Sequence, residues 1–454
     1  MSQQRENFGS AATAIMALAG SAIGLGNIWR FPYMVGQNGG AAFIIVYLAA
    51  TLLLSLPIML SESIIGHKSG SNPIGAMDKL APGSRWKWLG YLTIITPLVI
   101  VSYYSVVGGW SLGYFIRASV VGFASTDAQE VSSVFGNFIS SPWLPLLCHT
   151  LFVCACAVII SAGVKGGIEK FNKFTMPGLF ILIVVIMVYS LTLPGASKGV
   201  EYLIKPDFKK LTGPAIASAM GQSFYSLSLG VGTILTYSSY IKKEKNIFMT
   251  SVGTIGADIL FALIAGFAIM PAVFAAGIEP GAGPGLIFET LPYIFAKMGV
   301  TAAWLVRVIA ILFFLMIVFA ALTSAISLIE VGVAFLIEEK KMTRGRATFI
   351  IVLCIWALGA LCSLSFGPLA GVQVFGKNLF SFCDILSSNF LMTFGGLLFV
   401  VFAGWKMKRE DVRNEFTQHG TNRLNCAIFD TFYFILRFVA PVAILVIFLT
   451  NFLN

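Results

Sequence analysis

A chain of 454 residues that is 57% hydrophobic and only 11% charged lies far from ordinary soluble domains, in which about a quarter of residues carry charge. The net charge of +10 comes from Lys and Arg in short clusters between apolar runs. That distribution argues against a nucleic-acid-binding face and fits the loops of an all-α polytopic membrane protein. The polar start MSQQRENFGS and the long apolar run after it do not read as a cleavable signal peptide. The seven cysteines lie mostly inside apolar runs, show no metal-ligand spacing and read as small core residues.

A membrane-crossing helix needs about 20 apolar residues. That rule predicts eleven spans, over 9–37, 40–68, 86–122, 144–163, 171–194, 213–240, 247–277, 300–337, 347–366, 378–404 and 425–450. Five connecting loops are basic (67–87, 165–173, 242–245, 338–346 and 406–423), and the loop near 123–142 is acidic. The basic set is expected on the cytoplasmic side, with the N-terminus inside and the C-terminus outside; the basic loop near 195–212 is the exception. The stretch 277–295, punctuated by Gly and Pro, is expected to be a structured outer loop.

The first span carries the stretch GSAIGLGNIWRFP over 20–32. Its three glycines weaken the helix, and Asn27 and Arg30 are costly at membrane depth. A break here makes sense if the loosened backbone lines a site. In the sixth span the Gly230–Val231–Gly232 step interrupts a helix rich in Ser and Tyr. A shift of five spans reverses direction, so two broken helices at matching positions point to a transport site made by an inverted repeat. The alternative for each Gly cluster taken alone is close helix packing. Two acids lie in mid-span, Glu62 and Asp258. Asp258 is a functional candidate; the alternative is that it snorkels toward the end of its span. Ala320, Thr323 and Ser324 share one helix face, with back-bonding of the two hydroxyls to their own helix as the alternative.

The stretch GSAIGLGNIWRFPYMVGQNGGAAF resembles the first-helix signature of the neurotransmitter:sodium symporter family. SFYSLSLGVGTILTYSSY resembles its sixth helix and FAALTSAISLIE its eighth, and the pattern is similar to the bacterial amino-acid branch. The resemblance implies a single transporter domain over 1–454, with a first five-helix repeat at 9–194, a second, inverted one at 213–404 and an additional helix at 425–450. It also implies Na⁺-driven uptake, with two Na⁺ per cycle as the family expectation. One Na⁺ would be held by the Ala22 carbonyl, Asn27, Ser226 and Asp258 together with the substrate carboxylate. The second would use carbonyls of Gly20, Ile23 and Ala320 and the hydroxyls of Thr323 and Ser324. These are oxygen donors, as a hard cation requires. Chloride-dependent relatives carry Asn at the position of Asp258 and Ser at that of Ala262. The carboxylate present here could balance the cation charge, so chloride-independent uptake is expected.

For the substrate, the free N–H groups of the first break, at Leu25 and Gly26, suit a carboxylate, with the Tyr104 hydroxyl beside them. The amine would meet the carbonyls of Ala22, Tyr225 and Ser226 and the Ser228 hydroxyl, and Ser21 is a further substrate-binding candidate. Gly24 stands where monoamine carriers place an acid, so the substrate should be an amino acid. Its side chain would face Ile100, Tyr104, Tyr225, Val231, Ser324 and Leu328, a set without charge that suits a large aliphatic or aromatic group. By the same resemblance Arg30 and Asp384, with Gln222, form the outer gate. Arg5 and Glu338, with Phe8, Ser239 and Tyr240, close the inner one. The pair Gly167 and Pro177 would let the fifth helix unwind. The monomer is expected to suffice, in the cell membrane. No catalytic set is recognisable, which excludes the common enzyme classes. The alternatives are an ion channel and an amino-acid sensor that does not transport.

Overall fold

The computed structural model describes residues 6–123, 125–277 and 286–453, and the chain there is almost wholly helical. The first span is two helices, α1 (Ala11–Ala22) and α2 (Gly26–Gln37), bent by 58° at the break. Then follow α3 (Ala41–Ser69), α4 (Lys87–Val120), α5 (Leu144–Ser161) and α6 (Val164–Leu191). After a 9-residue helix at Ala196–Ile204 come two short ones: α7 (Gly213–Ser226) and α8 (Thr233–Ser238). The chain continues with α9 (Ile247–Ala275), α10 (Ala303–Lys340), α11 (Arg344–Leu364) and α12 (Leu379–Lys406). The small α13 (Arg409–Thr417) precedes α14 (Arg423–Thr450). Among the described residues nine helices are long and apolar enough to cross a membrane, ten if α1 and α2 count as one span. The segment predicted at 213–240 falls outside that count because its 14- and 6-residue halves are each too short.

Two expectations shift. The fifth helix starts at Val164, seven positions before the predicted 171, so Gly167 lies within its first turn. A Cβ on Gly167 would collide with the Ile159 carbonyl, so this glycine is set by close packing. Leu286–Thr290 and the helix beginning at Leu291 replace part of the expected outer loop. Residues 278–285 lie outside the described residues.

The ends of the elements follow from local chemistry. Ser10 starts α1 with a capping box closed by Thr13. Between α11 and α12 a two-stranded hairpin, β1 (Gln373–Val374) and β2 (Lys377–Asn378), turns at Phe375 and Gly376, both at positive φ. The core is built on the contact of α10 with α4, its most extensive helix pair. At one end of α4, Trp110 stacks on Phe380 and meets Phe135, Phe288 and Phe366 edge-on, a cluster of rings over one end of the bundle.

Candidate functional site

The break in the first span is built by its own residues. α1 ends at Ala22, Ile23 adopts extended backbone, and the chain re-enters helix through a π-turn at Gly26–Arg30. Asn27 closes the gap from below: its Oδ1 accepts from the Gly24 N–H at 3.2 Å. The side-chain amide then faces away from the break. Asn27 Nδ2 donates to Asp258 Oδ1 at 2.7 Å and lies 3.1 Å from Ser226 Oγ. Ser226 is the last residue of α7, and its hydroxyl sits 2.9 and 3.1 Å from the two oxygens of Asp258. Asn27, Ser226 and Asp258 thus meet, and all are buried. Asp258 does not snorkel: it is wholly enclosed, and a charge so placed persists only when hydrogen-bonded or paired with a cation. Ala22, the fourth expected member, is the buried final residue of α1.

The second break lies between α7 and α8. Ser228, Gly230 and Gly232 all take positive φ. The Gly230 N–H, freed from the helix, donates to Glu62 Oε1 at 2.7 Å. A Cβ on Gly230 would strike the Met392 carbonyl, so glycine is required there by both conformation and space. Glu62 therefore holds the unwound backbone, as a buried carboxylate can.

The second expected cation set lies where α1 meets α10. Ser324 Oγ donates to the Ile23 carbonyl at 3.3 Å, across the two helices. Thr323 instead bonds back to Ala320 O at 3.0 Å, the within-helix alternative. Gly20 is in the same region and packs against Asn172 of α6. Ser21, a substrate-binding candidate, accepts from Ser327 Oγ at 2.8 Å.

Around the first break, the Leu25 N–H donates to the Tyr104 hydroxyl at 3.4 Å. A Cβ on Gly24 would meet the Ser324 and Tyr104 hydroxyls, and one on Gly26 would approach the Tyr225 ring at 3.2 Å. Ile100 and Tyr104 share a face of α4, and Ser324 and Leu328 a face of α10. Val231 is fully buried in the second break.

The expected gate residues lie as follows. Arg30 and Asp384 make no ion pair within 4.0 Å; the Arg30 guanidinium lies over the Tyr225 ring, 4.2 Å from its centroid. Asp384 has the Tyr103 hydroxyl beside it. Gln222 reaches the break rather than this pair, with Nε2 3.4 Å from Gly26 O. Arg5 lies outside the described residues. Glu338 accepts from the backbone and side chain of Asn72 at 2.8 and 3.0 Å. Phe8 is buried edge-on against Tyr237 and Tyr240. Ser239 Oγ donates to Thr236 O in its own turn. Pro177 lies within α6, and the helix runs on past it.

Several participants had no clear mark in the sequence. Tyr47 of α3 donates to Asp258 Oδ2 at 3.4 Å; a lone phenol in an apolar span was the only trace. Asn172 is buried, and neither amide atom has a hydrogen-bond partner among the described residues. Glu330 takes both Arg344 nitrogens at 2.9 Å and the Tyr240 hydroxyl at 2.9 Å. Arg344 also donates to Ile160 O, and Phe8 N–H to Tyr240 O. Glu6 Oε2 accepts from the N–H groups of Val164 and Lys165 at the start of α6, while Glu169 Oε2 accepts from Gly9 N–H.

A multi-pass helical membrane protein whose discontinuous first span brackets a buried, oxygen-rich site has the architecture of a secondary transporter. The family model described as the sodium:neurotransmitter symporter family matches residues 5–130 and 118–454. The chain belongs to that family. It is 36% identical over 450 residues to the sodium-dependent transporter YhdH of Bacillus subtilis, covering 99% of this chain and 98% of that one. It is 34% identical over 427 residues to the sodium-dependent transporter MJ1319 of Methanocaldococcus jannaschii, covering 90% and 84%. The crystal structure of MhsT in complex with L-phenylalanine is 40% identical, with a TM-score of 0.89 over 99% of this chain and 100% of that one. The protein is accordingly a sodium-dependent transporter and not an enzyme.

Proposed function

We propose that the protein imports a neutral, hydrophobic L-amino acid, with a large aliphatic or aromatic side chain, coupled to Na⁺ and independently of chloride. The observation that carries this reading is the first break itself. Its Leu25 N–H meets the Tyr104 hydroxyl, and its Gly24 leaves no acid beside Ser324. A carboxylate fits these donors, and the surrounding Ile100, Val231 and Leu328 offer no charge to a polar side chain. The relative MhsT was crystallised with L-phenylalanine, a ligand of this class.

Two Na⁺ ions accompany each substrate in this proposal. Asn27, Ser226, Asp258 and the Ala22 carbonyl hold one; Gly20, Ile23, Ala320, Thr323 and Ser324 hold the other. The first group is supported by the mutual contacts of Asn27, Ser226 and Asp258, and the second by the bond from Ser324 to Ile23. Asp258 supplies the fixed negative charge that makes chloride unnecessary. Eleven spans, with α7 and α8 counted as one, form two inverted five-helix repeats, 9–194 and 213–404, followed by 425–450. The N-terminus and basic loops face the cytoplasm, the protein lies in the cell membrane, and the monomer transports. Arg30 with Asp384 and Arg5 with Glu338 close alternately across the cycle.

Uptake of a panel of labelled amino acids into proteoliposomes under an imposed Na⁺ gradient, in chloride and in gluconate, tests the proposal. Na⁺-stimulated uptake of phenylalanine, leucine or tryptophan at equal rates in both media is expected. Absence of Na⁺-stimulated uptake across the panel overturns it, and binding without counterflow would identify a sensor.

A further inference from the structure

The turn joining α10 to α11 ends two membrane-crossing helices and so sits at the membrane edge. Beside it opens a groove of about 530 Å³, lined by Lys340, Lys341, Thr343 and Arg346 together with the apolar Phe349 and Ile350. The charges here are segregated. Glu338 and Glu339 accept hydrogen bonds from Asn72, and Arg344 is held by Glu330. Lys340, Lys341 and Arg346 make no ion pair with any described residue, and all three are exposed. Several other bases near helix ends are engaged: Lys68 with Asp411, Lys87 with Asp78, Lys243 with the carbonyls of His67 and Lys68. The apolar lining of the groove continues down the helix. Phe349 is 66% exposed, and Leu353, one turn further into the span, is 48% exposed.

We infer that this groove binds one anionic phospholipid. The phosphodiester sits among Lys340, Lys341 and Arg346, with the Thr343 hydroxyl beside it, and one acyl chain lies along Phe349, Ile350 and Leu353. A positive rim at headgroup level that continues into a bilayer-facing apolar face matches a lipid, which has both parts joined; a soluble anion has only one. A guanidinium and two ammonium groups around one phosphate give charge-assisted hydrogen bonds, and the arginine can engage two oxygens at once.

Native mass spectrometry of the detergent-solubilised full chain, titrated with phosphatidylglycerol or phosphatidylcholine, tests the site. The wild type is expected to retain one phosphatidylglycerol at least tenfold more tightly than phosphatidylcholine. Lys340→Ala/Lys341→Ala/Arg346→Ala should abolish that preference, and Lys198→Ala/Lys209→Ala should keep it. A triple variant that retains phosphatidylglycerol like the wild type, or a wild type without preference, overturns the inference. Two measurements on the wild type stand apart from any folding defect. Raising ionic strength to about 1 M, where the Debye length is about 3 Å, should weaken retention severalfold. Millimolar glycerol 3-phosphate should leave the lipid in place; its displacement would mean a soluble-anion site and would also overturn the assignment.

Discussion

Asn27 Nδ2 donates to Asp258 Oδ1 across 2.7 Å, joining the break in the first span to a carboxylate 231 positions later in the chain. Ser226 and Tyr47 complete the ring of donors around that carboxylate. The carboxylate is therefore held in place whether or not a cation sits beside it. Asp258→Asn keeps the shape and removes the charge. A hydrogen bond to a charged partner contributes about 1.5–3 kcal/mol, so the Na⁺ concentration for half-maximal phenylalanine binding should rise by roughly tenfold or more. The measurement is equilibrium binding of labelled phenylalanine against Na⁺, in chloride and in gluconate. An unchanged Na⁺ dependence in both media would sink the charge-balancing role of Asp258.

Gly24 has no room for a side chain, because a Cβ there meets the Ser324 and Tyr104 hydroxyls. Gly24→Ala should lower amino-acid affinity at least tenfold with little change in thermal midpoint. Trimming the opposing hydroxyl, in Gly24→Ala/Ser324→Ala, should recover less than the full affinity, since Ser324 also reaches Ile23. Wild-type affinity in Gly24→Ala would show that the substrate lies elsewhere.

The clamp between the N-terminal segment and the start of α6 is reciprocal: Glu6 caps Val164 and Lys165, and Glu169 caps Gly9. The residue preceding α6, Gly163, has no side chain to cap the helix, so Glu6 takes that role from a distance. Hydrogen exchange at the Val164 and Lys165 amides should speed up about tenfold in Glu6→Ala and less in Glu6→Gln. Exchange unchanged in both variants would mean that the cap carries no stability.

Glu415 of α13 meets His67 at the end of α3, with Lys243 and Lys68 nearby. Burial pushes its carboxyl up, but the His67 hydrogen bond and the two lysine charges outweigh burial and hold it below the usual carboxylate range. A carboxyl depressed in the folded state contributes stability above its unfolded value of about 4.3 and loses it as pH falls through the lower folded value. The thermal midpoint should therefore drop as pH falls below about 4.5, and Glu415→Gln should show a shallower drop and a lower midpoint at neutral pH. Parallel curves for the two proteins would remove Glu415 from that account.

Much of this was legible from residue spacing, and some was not, for physical reasons. Both interruptions are visible because glycine beside Asn or Ser is conspicuous in an apolar span. Asp258 stands out as a mid-span acid, although only the fold reveals that it is enclosed by Asn27, Ser226 and Tyr47 rather than snorkelling. Tyr47 was invisible because a tyrosine in a span is ordinary until its hydroxyl has an address. The start of the fifth helix at Val164 was missed because the polar and glycine residues of 164–169 break the apolar run there. The outer-gate residues Arg30 and Asp384 stand out as charges in apolar spans, but only the fold shows that Arg30 also lies over the Tyr225 ring. Such a contact between residues about two hundred positions apart is not encoded in spacing.

Glu330 ties together parts of the chain that are far apart in sequence. Through it Arg344 of α11 and Tyr240 beyond α8 are joined, and through those two the Ile160 carbonyl and the Phe8 amide. Substitutions at these positions should accordingly fail to add. Losing Glu330 removes the acid that pairs a mostly buried guanidinium, so a second change at Arg344 costs little more. A surface acid would show no such coupling.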